Sequence, residues 1–153
     1  MKPEGDIEIK EIKENKKQFL SLLLLADEQE NMIEQYIDRG IMYILDDNGI
    51  KCECVVTDEG NNILEIKNIA TVPAYQRQGY AKILIDFIAR TYQRKYPILQ
   101  VGTGDSPSTI AFYEKCGFIR SHSIPNFFID NYDHLIYEEG VLLVDMIYLR
   151  KKL

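Results

Sequence analysis

The chain has 153 residues, 46% hydrophobic and 27% charged, the balance of a globular protein of one domain and not of a disordered or fibrous one. Its formal net charge is -6, from 24 acidic against 18 basic residues, with no basic block to follow a phosphate backbone, which argues against nucleic acid as a partner. The longest apolar stretch, Phe19 to Ala26, is eight residues interrupted by Ser21, far short of the roughly 20 that cross a bilayer, so no membrane is expected, and the acidic start MKPEGDIEIKE is unlike an export signal.

A short strand is expected over Ile7 to Ile12, after which Phe19, Leu22, Leu23 and Ala26 follow helical spacing. Asp27 with Glu30 three residues on forms a capping-box pattern. A second helix is therefore expected to start there, with Met32, Ile33, Tyr36 and Ile37 on one face and Gly40 closing it. Strands follow: Ile41 to Leu45, an Asn48-Gly49 hairpin turn, and Ile50, Cys52, Cys54 and Val56 alternating with polar residues. The Asp58 to Asn62 turn leads into Ile63 to Val72. From Tyr80 the period becomes helical, with Ala81, Leu84, Ile85, Ile88 and Tyr92 in one stripe. Pro97 to Val101 reads as a strand, and Ser106-Pro107 sets a cap and a first-turn proline before a helix ended by Gly117. Phe118 to Ser123 and Val141 to Leu149 are the last strands, with an irregular aromatic stretch between them. The order is that of a mixed α/β sheet.

The most informative segment is Gln76-Arg77-Gln78-Gly79-Tyr80-Ala81, between an apolar strand and an amphipathic helix. Glycine there lets backbone approach a ligand closely, and the first N–H groups of the helix have no intrahelical partners and point at an anion. Arg77 adds a charged donor. The segment is neither a P-loop nor a Rossmann fingerprint.

In these residues the chain resembles the GNAT family of acyl-CoA-dependent N-acetyltransferases, whose Q/R-x-x-G-x-G/A motif is matched by Gln76, Gly79 and Ala81. Ile69-Ala70-Thr71-Val72-Pro73 looks like the family's preceding strand end, and Ala111-Phe112-Tyr113-Glu114-Lys115-Cys116-Gly117-Phe118 like its A-x-x-Y-x-x-x-GF helix and strand. The correspondence runs from about Ile41 to Phe118. One departure is Ser108, where many members carry Asn; serine can still donate to the cofactor arm. The resemblance implies an α/β (α+β) fold, a single domain over residues 1–153 with a mixed, mostly antiparallel sheet flanked by helices and a splayed central strand pair holding the cofactor.

It further implies acetyl-CoA as co-substrate and an amine acceptor, either a small molecule or a peptide or protein amine. The pantetheine arm is expected on backbone groups of Ala70, Thr71 and Val72, where an N–H would stabilise the reaction's oxyanion at about 3 kcal/mol per donor. The pyrophosphate is expected on the amides of Arg77, Gln78, Gly79, Tyr80, Ala81 and Lys82. Tyr113 matches the family's tyrosine and suits re-protonation of the leaving thiolate. Glu65, on the strand toward Val72 and near Ile63 and Ile69, is the candidate general base, because an apolar face makes a carboxylate more basic.

Other residues read as structure. His122 and His134 are isolated in a loop-rich region, and no acidic cluster accompanies them at metal spacing, so no metal is expected. Cys52, Cys54 and Cys116 read as core packing. With no CxxC pair, they argue against a disulfide framework or a structural zinc and for a reducing, cytoplasmic setting. Gly102-Thr103-Gly104 is a lone GxG at the border of the cofactor or substrate. Substrate walls are expected from the N-terminal helices and Ile124 to Glu139, where Asp130, Asp133, Glu138 and Glu139 either attract a cation or form a solvated loop. A homodimer is left open. The competing function is an acyl-CoA-binding domain without turnover.

Overall fold

The computed structural model describes residues 6–153. One seven-stranded sheet runs through it in the order β1 (Glu8–Ile12), β2 (Ile41–Asp46), β3 (Ile50–Asp58), β4 (Ile63–Thr71), β5 (Ile98–Gly104), β9 (Met146–Lys152) and β6 (Ile119–Ile124). Only β4 and β5 pair in parallel; every other ladder is antiparallel. The hairpin between β2 and β3 turns at Asn48 and Gly49, both at positive φ, as an Asn-Gly hairpin turn demands. The Gly49 amide donates to Asp46 Oδ1 at 3.0 Å.

Helices cover both faces. The stripe of α3 (Tyr80–Tyr92) and one face of α4 (Pro107–Lys115) bury Leu84, Ile85, Ile88, Ile110 and Tyr113 against Cys52, Cys54, Val56, Leu64 and Ile66. On the opposite face α1 (Leu20–Ala26), α2 (Glu30–Glu34) and the turn after α2 pack Leu23, Ile33, Tyr36 and Ile37 on Met42, Ile44 and Val55. Cys52 and Cys54 are fully buried and Cys116 nearly so, in line with a packing role.

The feature that positions the site is a bulge in β4. Val55 pairs with Asn68 and Val56 with Ile66, which leaves Lys67 as an extra residue. The parallel ladder of β4 with β5 covers Ile63↔Ile98 to Ile66↔Val101 and stops where the bulge begins. Beyond it β4 stays paired with β3 and β5 with β9, so the two central strands part.

Three local expectations are corrected. Asp27 does not cap α2: it is an extended residue (φ -141°, ψ 100°) after α1, and Gln29 stands at the N-cap without a side-chain bond. Ser106 occupies the N-cap of α4, yet its buried hydroxyl makes no cap bond. The aromatic stretch is not irregular throughout, since it holds α5 (Phe127–Asn131) and a small hairpin, β7 (Tyr137–Glu138) with β8 (Val141–Leu142), separate from β9. Among the described residues no helix is long and apolar enough to cross a membrane.

Candidate active site

Where β4 and β5 part, a cleft of about 870 Å³ opens, walled by Lys67 to Thr71 on one side and Val101 to Gly104 on the other. Its mouth is the turn into α3. After a 3-10 turn at Pro73–Tyr75, Arg77 (φ 64°) and Gly79 (φ 89°) both take left-handed backbone, and Gly79 caps the helix. The first intrahelical bond runs from the Ile83 amide to the Gly79 carbonyl, so the preceding amides are free to meet an anion. A Cβ on Gly79 would touch nothing, so the glycine serves the backbone conformation. Gln76 Nε2 donates to the Thr71 carbonyl at 3.3 Å and ties the turn to β4.

Tyr80 donates its phenol to Asp47 at 2.6 Å, anchoring α3 to the β2–β3 hairpin, and Lys82 pairs with Asp86 at 2.8 Å. Of the residues expected around a cofactor, Ala70, Thr71, Gln76, Arg77, Gly79, Tyr80, Ala81, Lys82 and Ser108 line the cleft, while Val72 and Gln78 are not among its lining. The Val72 amide donates to the Lys51 carbonyl at 2.8 Å, so it is not available as an oxyanion donor. Strand alternation then turns the Ala70 backbone toward β3 and that of Thr71 and Ile69 into the gap. Ser108 donates to Glu139 at 2.8 Å, and Thr109 to Glu138 at 3.1 Å, which brings β7 onto the first turn of α4.

Tyr113 reaches the cleft from α4 with its ring held edge-on between Phe112 and Phe118. Burial pushes its phenol above the ordinary value, so it stays protonated at neutral pH. Glu65 lies on the cleft floor, buried, with both oxygens engaged: Lys67 Nζ at 2.9 Å and Gln100 Nε2 at 2.6 Å. Arg150 in turn donates to Gln100 at 2.8 Å, and Arg39 and Lys67 reach Glu59. A polar band thus crosses β4, β5 and β9 and fixes the Glu65 carboxylate.

The opposite end of the cleft is acidic and aromatic, and its central residue is one that sequence reasoning missed. Asp27 accepts hydrogen bonds from Tyr36 at 2.9 Å and Tyr132 at 2.7 Å. Asn68 of β4 donates to the Tyr36 oxygen at 3.0 Å and to the Leu23 carbonyl at 3.0 Å. Burial raises the Asp27 carboxyl above the usual range despite these donors, and lifts both phenols as well. Phe127 and Phe128 continue this wall, Phe128 stacked on Tyr132. An acid just before a helix reads as a cap; only the return of Tyr132, 105 residues on, shows otherwise.

Both the N-terminal helices and the segment after Ile124 thus contribute to the cleft lining, with Glu138 and Glu139 on the cleft and Asp130 and Asp133 away from it. His122 stacks on Tyr148 at 4.7 Å, His134 pairs with Asp133 at 2.6 Å, and neither lines the cleft. Gly102 and Gly104 serve packing: a Cβ on Gly104 would lie 2.5 Å from Leu143, and one on Gly102 2.8 Å from Met146. Among the described residues no group of three or more His, Cys, Asp or Glu could hold a metal.

Comparison with known proteins gives the same picture. Residues 38–120 match the family model described as an acetyltransferase (GNAT) domain. An uncharacterized N-acetyltransferase of Bacillus subtilis, YvbK, is 30% identical over 137 residues, 88% of each chain. Among solved structures, an IAA acetyltransferase from Bacillus cereus is 34% identical with a TM-score of 0.89, over 96% of this chain and 99% of that one. A GNAT family acetyltransferase from Elizabethkingia anophelis with acetyl-CoA bound is 34% identical with a TM-score of 0.91, over 97% and 99%.

Proposed function

The chain belongs to the GNAT acetyltransferase family, and from that premise we propose that it moves an acetyl group from acetyl-CoA to a primary amine by direct attack in a ternary complex. The observation that carries this reading is the parting of β4 and β5 beside the free amides of α3. An extended acyl-pantetheine arm can take the place of the missing ladder, with Thr71 and Ile69 backbone groups on it and the phosphates on the turn near Arg77 and Lys82. Ser108 adds a hydroxyl along the arm once it exchanges Glu139 for it. A reducing, cytoplasmic setting fits the three free thiols.

The chemistry then divides among named groups. The amine must be neutral to attack, and its proton leaves through a water to Glu65, whose two oxygens retain lone pairs beyond those held by Lys67 and Gln100. As the thioester C–S bond breaks, Tyr113 hydrogen-bonds the departing sulfur and supplies its proton. Burial, which keeps that phenol neutral, also excludes water that would compete for the thiolate.

Thiol release from acetyl-CoA across a panel of amines tests the reading. Amine-dependent release is expected, and Tyr113→Phe is expected to lower kcat by about a hundredfold without changing the Kd for CoA. Tight CoA binding with no release for any amine would leave a binding domain without turnover. Unchanged turnover in Tyr113→Phe would remove that phenol from the chemistry.

A further inference from the structure

We infer that the acceptor carries at least two basic nitrogens, and that Asp27, with Tyr36 and Tyr132, holds the one that is not acetylated; the inference rests on the N-acetyltransferase reading above. Asp27 faces the cleft with its carboxylate held by two phenols, both neutral donors. Among the described residues it forms no ion pair. The positive charge that acts on it is Lys67, already shared between Glu65 at 2.9 Å and Glu59 at 3.6 Å. A half-buried carboxylate satisfied only by neutral dipoles is a site for an incoming cation, which gains a charge-assisted hydrogen bond there. The Tyr132 ring and its stacked neighbour Phe128, 5.7 Å away, add π faces suited to the same charge.

The nitrogen at Asp27 cannot be the one that attacks. A carboxylate stabilises the protonated form of an amine whose ordinary pKa is already about 10, whereas attack needs the neutral form. Glu65 serves the opposite need at the cleft floor, so the two carboxylates ask for two nitrogens. Their spacing follows from the strand: Asp27 is tied through Tyr36 to Asn68, and Asn68 is three residues from Glu65 along β4, about 10 Å. That is the reach of an extended alkyl diamine or of a lysine-like side chain with its α-amine. Arg77 and Lys82 stand at the cofactor end, so a dication is drawn to the acidic end alone.

The test compares hexamethylenediamine with hexylamine, equal in length and differing by one ammonium. With the native protein, kcat/KM for the diamine is expected to exceed that of the monoamine by about tenfold or more, as loss of one charge-assisted bond predicts. Asp27→Asn is expected to bring that ratio to about one, mainly through KM for the diamine. Equal kcat/KM for the two amines in the native protein would overturn the inference whatever the variant does, and so would a ratio that survives Asp27→Asn. Calorimetric titration of both amines into the CoA complex reads the same preference without turnover. If no amine releases thiol, the N-acetyltransferase reading fails, and the diamine site still stands or falls on whether its binding depends on Asp27.

Discussion

Glu53 carries a carboxyl group with no exposed surface on the α1/α2 face of β3, flanked in the sheet by Ile44 and Ala70. Neither oxygen has a well-aligned hydrogen-bond partner, and burial, offset only in part by the nearby Ala70 amide, pushes its pKa well above the usual range. The folded value exceeds the unfolded one, so its contribution to stability is full below the ordinary glutamate value of about 4.3 and is lost as pH rises toward the folded value. Glu53→Gln removes this titration. The variant is expected to gain in Tm on the native protein steadily from pH 4.5 to pH 8, as thermal melts would read; a difference independent of pH would refute it. The candidate residues of the cleft differed in how far they could be read from the chain. Tyr113 and Glu65 stood out because each sits within a local pattern, one on a motif helix and one on a strand leading to the turn. Asp27 did not, because its meaning comes from Tyr132, which the chain brings back only through α5.

The elements that shape the cleft are held by close contacts as much as by periodicity. Gly104 leaves room for Leu143, which is buried with Phe128 and Ile136 in the small cluster beneath the C-terminal segment. Gly104→Ala would set a Cβ 2.5 Å from that side chain and is expected to cost about 1–3 kcal/mol, read as a lowered Tm. Combining it with Leu143→Ala should recover about 1 kcal/mol relative to the sum of the single changes, and strict additivity would show that the contact does not set the packing. Strand and helix positions were legible from alternation and from the α3 stripe, and the Asn48-Gly49 turn declared its hairpin. The bulge at Lys67 was not, since it arises from how β4 meets β3 and β5 and carries no glycine or proline to mark it.

At the scale of the molecule, an acidic chain keeps a local positive mouth at Arg77 and Lys82 and gathers acid at the far end of the same cleft. Saturating CoA at 100 times its Kd is expected to stabilise the fold by about 2.7 kcal/mol, which for a chain of this size raises Tm by roughly 5–10 °C. Arg77→Ala with Lys82→Ala should shrink that shift and weaken its dependence on salt; an unchanged shift would mean that the phosphates bind elsewhere. The sequence by itself determined the order of the main strands and helices, the glycine turn at Gln76 to Ala81 and the tyrosine of the motif helix, because periodicity, glycine and helix N-termini act over a few residues. Only the tertiary structure decided which amides face the gap, what holds Glu65 and that Asp27 lines the cleft. Those depend on a bulge and on contacts between segments up to 105 residues apart, which no local pattern encodes.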